Sequence, residues 1–170
     1  MRIAGVMHES IVDGPGVRFV VFAQGCPHRC RGCHNPETWP ASGGEEWSVR
    51  DLFKIIRRSP DKVKGLTLSG GEPFGQAGQM ADLAALARGR GLDVATYTGY
   101  VYEDLLDMAE EEPDVARLLR ETDILVDGPY VEALRDIGLR FRGSANQRII
   151  DLPASRKTGA TVLLTEGQKE

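Results

Sequence analysis

The stretch Gly65-Leu66-Thr67-Leu68-Ser69-Gly70-Gly71-Glu72-Pro73, with the segment Ala77–Arg88 behind it, decides the fold. Gly65–Leu68 is a short β-favouring run that stops at a pair of glycines. Met80, Leu83, Ala84 and Ala87 then fall on one helical face, and Gly89 and Gly91 end the helix. The unit is a buried strand, a tight loop and an amphipathic helix. It recurs on both sides. Upstream, Phe19–Ala23 reads as a buried strand that Val17 extends, and it runs straight into a cysteine-bearing loop. Ser48 opens a helix with Asp51 three residues on, as in a capping box. Val49, Leu52, Phe53 and Ile56 form its inner face, and Pro60 ends it. Downstream, Leu92–Tyr97 reads as a third strand, Val101–Glu111 and Asp114–Arg120 as helices divided by Pro113, and Asp123–Val126 as a fourth strand. Gln147–Leu152 reads as a fifth strand. The tail from Pro153 is polar and rich in small residues apart from Thr161–Leu164, and reads as partly disordered or as an edge strand.

This alternation predicts an α/β fold with mostly parallel strands and right-handed crossovers, either a sheet or a partial (β/α) barrel. Residues 1–152 are expected to form one domain and 153–170 a tail. In such a fold the loops that follow the strands share the C-terminal rim, where ligands bind. The cysteine loop, Ser69–Pro73, Thr98-Gly99-Tyr100 and Asp127-Gly128-Pro129 are therefore expected to face one site.

Composition narrows the class. The chain has 170 residues, 41% apolar and 27% charged, with a formal net charge of −4. That balance suits a soluble globular domain and gives no whole-chain attraction to nucleic acid or an anionic membrane. No apolar run approaches the length of a membrane span, and the N-terminus lacks the apolar core of a signal peptide. A reducing, cytoplasmic setting is expected.

The only three cysteines are Cys26, Cys30 and Cys33, spaced C-x-x-x-C-x-x-C in the loop over residues 24–38. An odd number at such short spacing does not make a disulfide framework. Soft thiolates that converge select zinc or an iron–sulfur cluster. Three thiolates on a four-iron cubane leave one iron open to a substrate. Arg29 and Arg31 beside the cysteines favour the thiolate form. His28 and His34 are possible fourth ligands, so a Cys3His zinc site is the plain alternative. A noncatalytic module carrying electrons through a cluster is another. The second signal is Ser69-Gly70-Gly71-Glu72-Pro73. Its glycines let backbone polar groups approach a ligand, and Glu72 offers a carboxylate to an ammonium group. By itself it reads as a strand-to-helix turn.

Together, the cysteine loop and Gly70–Pro73 resemble the radical S-adenosylmethionine superfamily. The resemblance implies a 4Fe-4S cluster ligated by Cys26, Cys30 and Cys33, with S-adenosylmethionine on the open iron. It implies that Ser69, Gly70, Gly71, Glu72 and Pro73 hold the methionine end, and that Gly32, Cys33 and His34 lie by the cofactor. The superfamily often has an aromatic residue before the third cysteine, where this chain has Gly32, so adenine packing falls to His34. Ile11-Val12-Asp13-Gly14-Pro15-Gly16, Cys33-His34-Asn35-Pro36, Thr98-Gly99-Tyr100, Leu125-Val126-Asp127-Gly128 and Arg142-Gly143-Ser144 are similar to the glycyl-radical-enzyme activases, and most to those of anaerobic ribonucleotide reductase. That implies a glycyl-radical ribonucleotide reductase as protein substrate and flavodoxin or ferredoxin as electron donor. A pyruvate formate-lyase activase or a 7-carboxy-7-deazaguanine synthase-like enzyme is the nearest rival. Asp13, Asp127, Tyr97 and Tyr100 read equally as cofactor neighbours or as turn and core residues. Trp39 and Trp47 read as packing groups, and Arg142 and Arg148 as solvated side chains or partner contacts.

Overall fold

The computed structural model describes residues 1–164. One seven-stranded sheet runs through it: β1 (Arg2–Ser10), β2 (Val17–Ala23), β3 (Glu45–Glu46), β4 (Val63–Gly70), β5 (Asp93–Tyr97), β6 (Ile124–Asp127) and β7 (Arg148–Asp151), in the order β3-β1-β2-β4-β5-β6-β7. The four central strands β2, β4, β5 and β6 are parallel. The flanking pairs β1–β2, β1–β3 and β6–β7 are antiparallel. No pairing joins β3 to β7 among the described residues, so the sheet is open.

The helices are α1 (Val49–Ile56), α2 (Ala77–Gly89), α3 (Tyr102–Glu111), α4 (Pro113–Glu121) and α5 (Leu152–Thr158). None of the described helices is long and apolar enough to cross a membrane. Ser48 caps α1 by accepting from the Asp51 amide at 3.1 Å, and its hydroxyl donates to the Asp51 carboxylate at 2.8 Å. Pro113 does not merely separate α3 from α4. It occupies the first turn of α4, where its missing N–H costs nothing. The α2 helix packs against α1, α4, β4 and β5. Alternation along the strands sends Phe19, Val21, Leu66, Leu68, Val94 and Leu125 into the core under the helices.

Two elements depart from the sequence reading. β1 was not anticipated. Gly5 interrupts it and only Ile3 and Ser10 are buried, so it carries no apolar alternation. It is specified by pairing with β2 rather than by its own pattern. The fifth strand expected at Gln147–Leu152 is β7, and it runs antiparallel. The connection 128–147 leaves β6 at the rim and returns to the same rim, so β7 must run the other way. Leu152–Thr158, where the tail was expected to begin, is helical. Asp151 caps it by accepting from the Ala154 amide at 2.8 Å, and Gly159 closes it in the left-handed region. Leu163 bridges to Ile150. Residues 165–170 of the tail lie outside the described residues.

A buried charge fastens the sheet's other face. Arg18, in β2, is fully buried. Its Nε donates to Thr67 Oγ1 at 2.6 Å, Nη1 to the Pro15 carbonyl at 3.0 Å and Nη2 to the Leu66 carbonyl at 2.9 Å. Nη2 also lies 2.6 Å from Asp93 Oδ1, an ion pair without hydrogen-bond geometry, since that oxygen has no hydrogen-bond partner. Thr67 in turn donates to the Asp13 carbonyl at 2.7 Å. Residue 65, opposite Arg18, has to be glycine, because a Cβ there would lie 2.4 Å from the guanidinium. Arg18 thus draws residues 11–16 back across the open face of the sheet.

Candidate active site

The rim loops meet as the strand order predicts. A cavity of about 570 Å³ opens there, within the usual range for cofactor sites. Cys26, Cys30 and Cys33 all line it, together with His34 and the backbone of Ser69–Gly71. Gly32, Glu72 and Pro73 do not.

The cysteine loop is shaped by its own backbone. At its base the Gly25 amide donates to the Thr38 carbonyl at 2.7 Å and the Cys26 amide to the Trp39 carbonyl at 3.1 Å. A turn joins the Cys33 amide to the Cys30 carbonyl at 3.1 Å. Arg29 sits in the left-handed region at φ 47°, where a non-glycine residue is uncommon. The Asn35 amide donates to Cys33 Sγ at 3.4 Å and so orients that side chain. Burial pushes the Cys26 thiol up, and the His28 and Arg29 amides pull it down. The neighbouring guanidinium groups are not among its causes. Arg31 instead turns to Glu132, 3.1 Å away.

Among the described residues no group of three or more His, Cys, Asp or Glu side chains is arranged to hold a single metal ion. A cubane asks for something else: each cysteine takes its own iron, so the thiolates surround the cluster instead of meeting at a point. Three soft donors lining one cofactor-sized cavity fit such a cluster. His28 Nε2 is taken by Glu72, and His34 is exposed beside Tyr130, with ring centroids 5.3 Å apart.

The glycine loop does more than approach a ligand. A Cβ on Gly70 would lie 2.7 Å from the Ala23 amide, and one on Gly71 would lie 2.4 Å from the Gly25 carbonyl. Both glycines are needed to press this loop onto the end of β2. There the Gly71 amide donates to the Ala23 carbonyl at 2.8 Å and the Glu72 amide to the Gly25 carbonyl at 2.8 Å.

Glu72 is placed differently from the sequence expectation. It is 1% exposed, and its carboxylate is occupied by the protein. One oxygen accepts from the Phe74 amide at 3.0 Å, the other from the Gly99 amide at 2.9 Å and His28 Nε2 at 2.8 Å. The Thr98 hydroxyl lies 3.0 Å from both. This carboxylate ties the cysteine loop, the glycine loop and the Thr98–Tyr100 loop together.

Other expectations divide. Asp127 is buried and turned from the cavity. It accepts from the Tyr102 amide at 2.8 Å, at the start of α3, and pairs with Arg148, which also reaches Glu103 at 2.6 Å. Tyr97 lines the cavity, and burial raises its phenol far above the ordinary range. Tyr100 packs against the core and edge-on to His28, 4.5 Å between centroids. Trp47 packs against the core. The sequence reading missed most of the connection 128–147: Tyr130, Arg140, Phe141 and Arg142 all line the cavity. Arg142, expected as a solvated side chain or a partner contact, donates from Nη1 to the Gln147 carbonyl at 3.1 Å and keeps a buried Nε without a partner among the described residues. Arg142-Gly143-Ser144 was the available signal.

A family model described as a 4Fe-4S single cluster domain matches residues 12–150. The anaerobic ribonucleoside-triphosphate reductase-activating protein of Vibrio cholerae is 38% identical over 146 residues, 82% of this chain and 90% of that protein. Its counterpart from Enterobacteria phage T4 is 33% identical over 143 residues, 81% of this chain and 86% of that one. The pyruvate formate-lyase-activating enzyme of Clostridium pasteurianum is 42% identical over 137 residues, 77% of this chain but 53% of that enzyme. With its three cysteines and its glycine loop on one cavity, the chain belongs to the 4Fe-4S single-cluster family that contains the anaerobic ribonucleoside-triphosphate reductase-activating proteins.

Proposed function

We propose that this chain activates anaerobic ribonucleoside-triphosphate reductase by generating a radical on a glycine of that protein. The observation that carries the reading is the meeting of Cys26, Cys30 and Cys33 with the Ser69–Gly71 backbone in one cavity, in a chain of this family. In this reading the three cysteines ligate a 4Fe-4S cluster and leave one iron open. Cys33, His34 and Ser69–Gly71, which line that cavity, hold S-adenosylmethionine against it, while Gly32, Glu72 and Pro73, expected beside the cofactor, lie off the lining and shape the loops behind it. When bound and reduced, cluster and cofactor together supply a 5′-deoxyadenosyl radical that takes a hydrogen atom from the substrate glycine.

The chain's own residues orient and shield. Glu72 serves by position, its carboxylate fixing His28 and Gly99 and its amide fixing the Gly25 carbonyl. The Asn35 amide, donating to Cys33 Sγ, orients that sulfur for ligation. Tyr97, neutral at any working pH, and the connection 128–147 wall the cavity against water. Residues 1–152 form the radical S-adenosylmethionine domain, read as an incomplete (β/α) barrel whose open side admits a loop of another protein. Flavodoxin or ferredoxin supplies the electron, in the cytoplasm.

The test is anaerobic reconstitution, reduction, and electron paramagnetic resonance with and without S-adenosylmethionine, followed by addition of the reductase. A 4Fe-4S signal that changes with the cofactor, then an organic radical on the reductase, is the expected result. A cluster indifferent to the cofactor, or no cluster, points to a noncatalytic metal module. The Clostridium pasteurianum relative makes pyruvate formate-lyase the second protein to offer.

A further inference from the structure

Two guanidinium groups line the cavity, those of Arg140 and Arg142. They are not equivalent. Arg140 is exposed and lies over the Phe141 ring, 5.2 Å from its centroid. Arg142 is half-buried. Its Nη1 donates to the Gln147 carbonyl at 3.1 Å, and its Nε is buried without a partner among the described residues. The fully buried guanidinium, Arg18, donates from all three nitrogens and has Asp93 beside it. Arg31 pairs with Glu132, and Arg148 with Asp127 and Glu103. Arg142 meets a carbonyl instead of a carboxylate. A cation drawn from water and short of a partner is costly, and an anion that arrives with a ligand removes that cost.

The turn that carries Arg142 is closely specified. Phe141 sits in the left-handed region at φ 57°, uncommon for a non-glycine residue. Gln147 closes the turn: its Oε1 accepts from the Gly143 amide at 2.9 Å and the Ser144 amide at 3.2 Å, and its Nε2 donates to the Gly128 carbonyl at 3.1 Å. A Cβ on Gly143 would lie 3.0 Å from the Tyr130 ring, so a residue without a side chain lets the turn pack there. Backbone strain held in place by its surroundings concentrates at binding sites.

The opposite wall says which anion. Cys26, Cys30 and Cys33 bind a cluster as thiolates, and Glu72 adds a carboxylate behind the glycine loop. A second carboxylate brought to this wall enters negative surroundings and needs a cation. S-adenosylmethionine brings one, at its methionine end. A guanidinium meets a carboxylate with two parallel N–H groups, and with Nη1 taken the edge formed by Nε and Nη2 remains.

We infer that Arg142 is the counter-ion of the cofactor's carboxylate and fixes the methionine end of S-adenosylmethionine from the wall opposite Ser69–Gly71. This deepens the radical S-adenosylmethionine reading and rests on it.

The test uses cluster-loaded protein with the cluster oxidised, so that no cleavage consumes the ligand. Equilibrium dialysis measures binding of S-adenosylmethionine and of two ligands that lack the carboxylate, its decarboxylated form and 5′-methylthioadenosine. Arg142→Gln is expected to weaken S-adenosylmethionine roughly tenfold to a hundredfold, the size of a charge-assisted hydrogen bond. It should bind the carboxylate-free ligands as wild type does. Arg142→Lys keeps the charge without the fork and should fall between. If Arg142→Gln does not hold its cluster, the Lys variant carries the same comparison. Equal loss of all three ligands would overturn the assignment, because a turn that has merely loosened does not distinguish them. So would an unchanged affinity for S-adenosylmethionine, or a defect confined to reductase binding in the same preparations, which would give the guanidinium an anion on the protein substrate. A wild-type protein that holds its cluster and binds none of the ligands would refute the cofactor reading itself, and that result is seen before any variant is made.

Discussion

Removing the Glu72 carboxylate separates two accounts of the glycine loop. If the carboxylate served a bound ammonium group, Glu72→Ala would weaken cofactor binding and leave the empty protein unchanged. The structure predicts the reverse emphasis. Truncation strips the acceptor from the Phe74 amide, the Gly99 amide and the Thr98 hydroxyl, while half-buried His28 turns to the cavity. An orphaned buried donor costs about 1–3 kcal/mol. Water from the adjoining cavity relieves part of this, so the total is about 3–5 kcal/mol. For a chain of this size about 1 kcal/mol moves the melting temperature by roughly 2–4 °C, which gives a drop of roughly 6–20 °C. Glu72→Gln keeps one oxygen and presents an NH2 to the other donors. His28 can change tautomer, but the Gly99 amide cannot, so one orphan remains and the cost is about 1–3 kcal/mol. The assay is thermal unfolding of the cluster-free, cofactor-free protein. A melting temperature for Glu72→Ala within about 2 °C of wild type, with cofactor affinity lost, would refute the reasoning.

Cys30→Ala, and equally Cys26→Ala or Cys33→Ala, is expected to abolish the intact cluster, read as iron content and visible absorbance. Normal cofactor cleavage by any of the three would sink the ligand assignment. Arg18→Met leaves the Pro15 and Leu66 carbonyls without their donor and should cost about 3 kcal/mol, read as a lowered urea midpoint. An unchanged midpoint would mean that the buried guanidinium contributes no net stability. Arg148 holds the Glu103 carboxyl down at about 2 against an ordinary 4.5. A lowered folded-state pKa adds stability above the unfolded value and loses it as pH falls through the folded one. The stability difference between wild type and Glu103→Gln should therefore shrink from pH 4.5 to about 2. Glu103 is half exposed, so the difference is small, and a flat one would count against the pairing.

Sequence reading succeeded where local pattern and burial agree. Gly65–Leu68 and Phe19–Ala23 are apolar because both faces of a central parallel strand are covered, and Ser48 and Pro60 bound a helix for local reasons. It failed where the cause is nonlocal. β1 has no apolar alternation because its register with β2 slips at two points and few of its residues are buried, so only its partner defines it. The direction of β7 follows from where the connection 128–147 returns. Cysteine spacing announced a cluster, and strand order brought the loops together. The orientation of the Glu72 carboxylate was hidden because its partners, at 28, 98 and 99, are distant in sequence. Arg18 was invisible for a similar reason: the groups that make its burial tolerable come from residues 15, 66, 67 and 93.

The Glu72 junction also orders events in time. His28 and Thr98 lie 44 and 26 residues from it along the chain. Their hydrogen bonds cannot form until β2, β4 and β5 have paired, so the cysteine loop acquires its shape late in folding. A cluster offered before that meets a loop whose closure entropy is still unspent, and three thiols free to bind iron in other ways. Offered afterwards, it meets a loop already closed. Maturation of this chain is thus expected to favour iron delivery to the folded protein over capture by the nascent one.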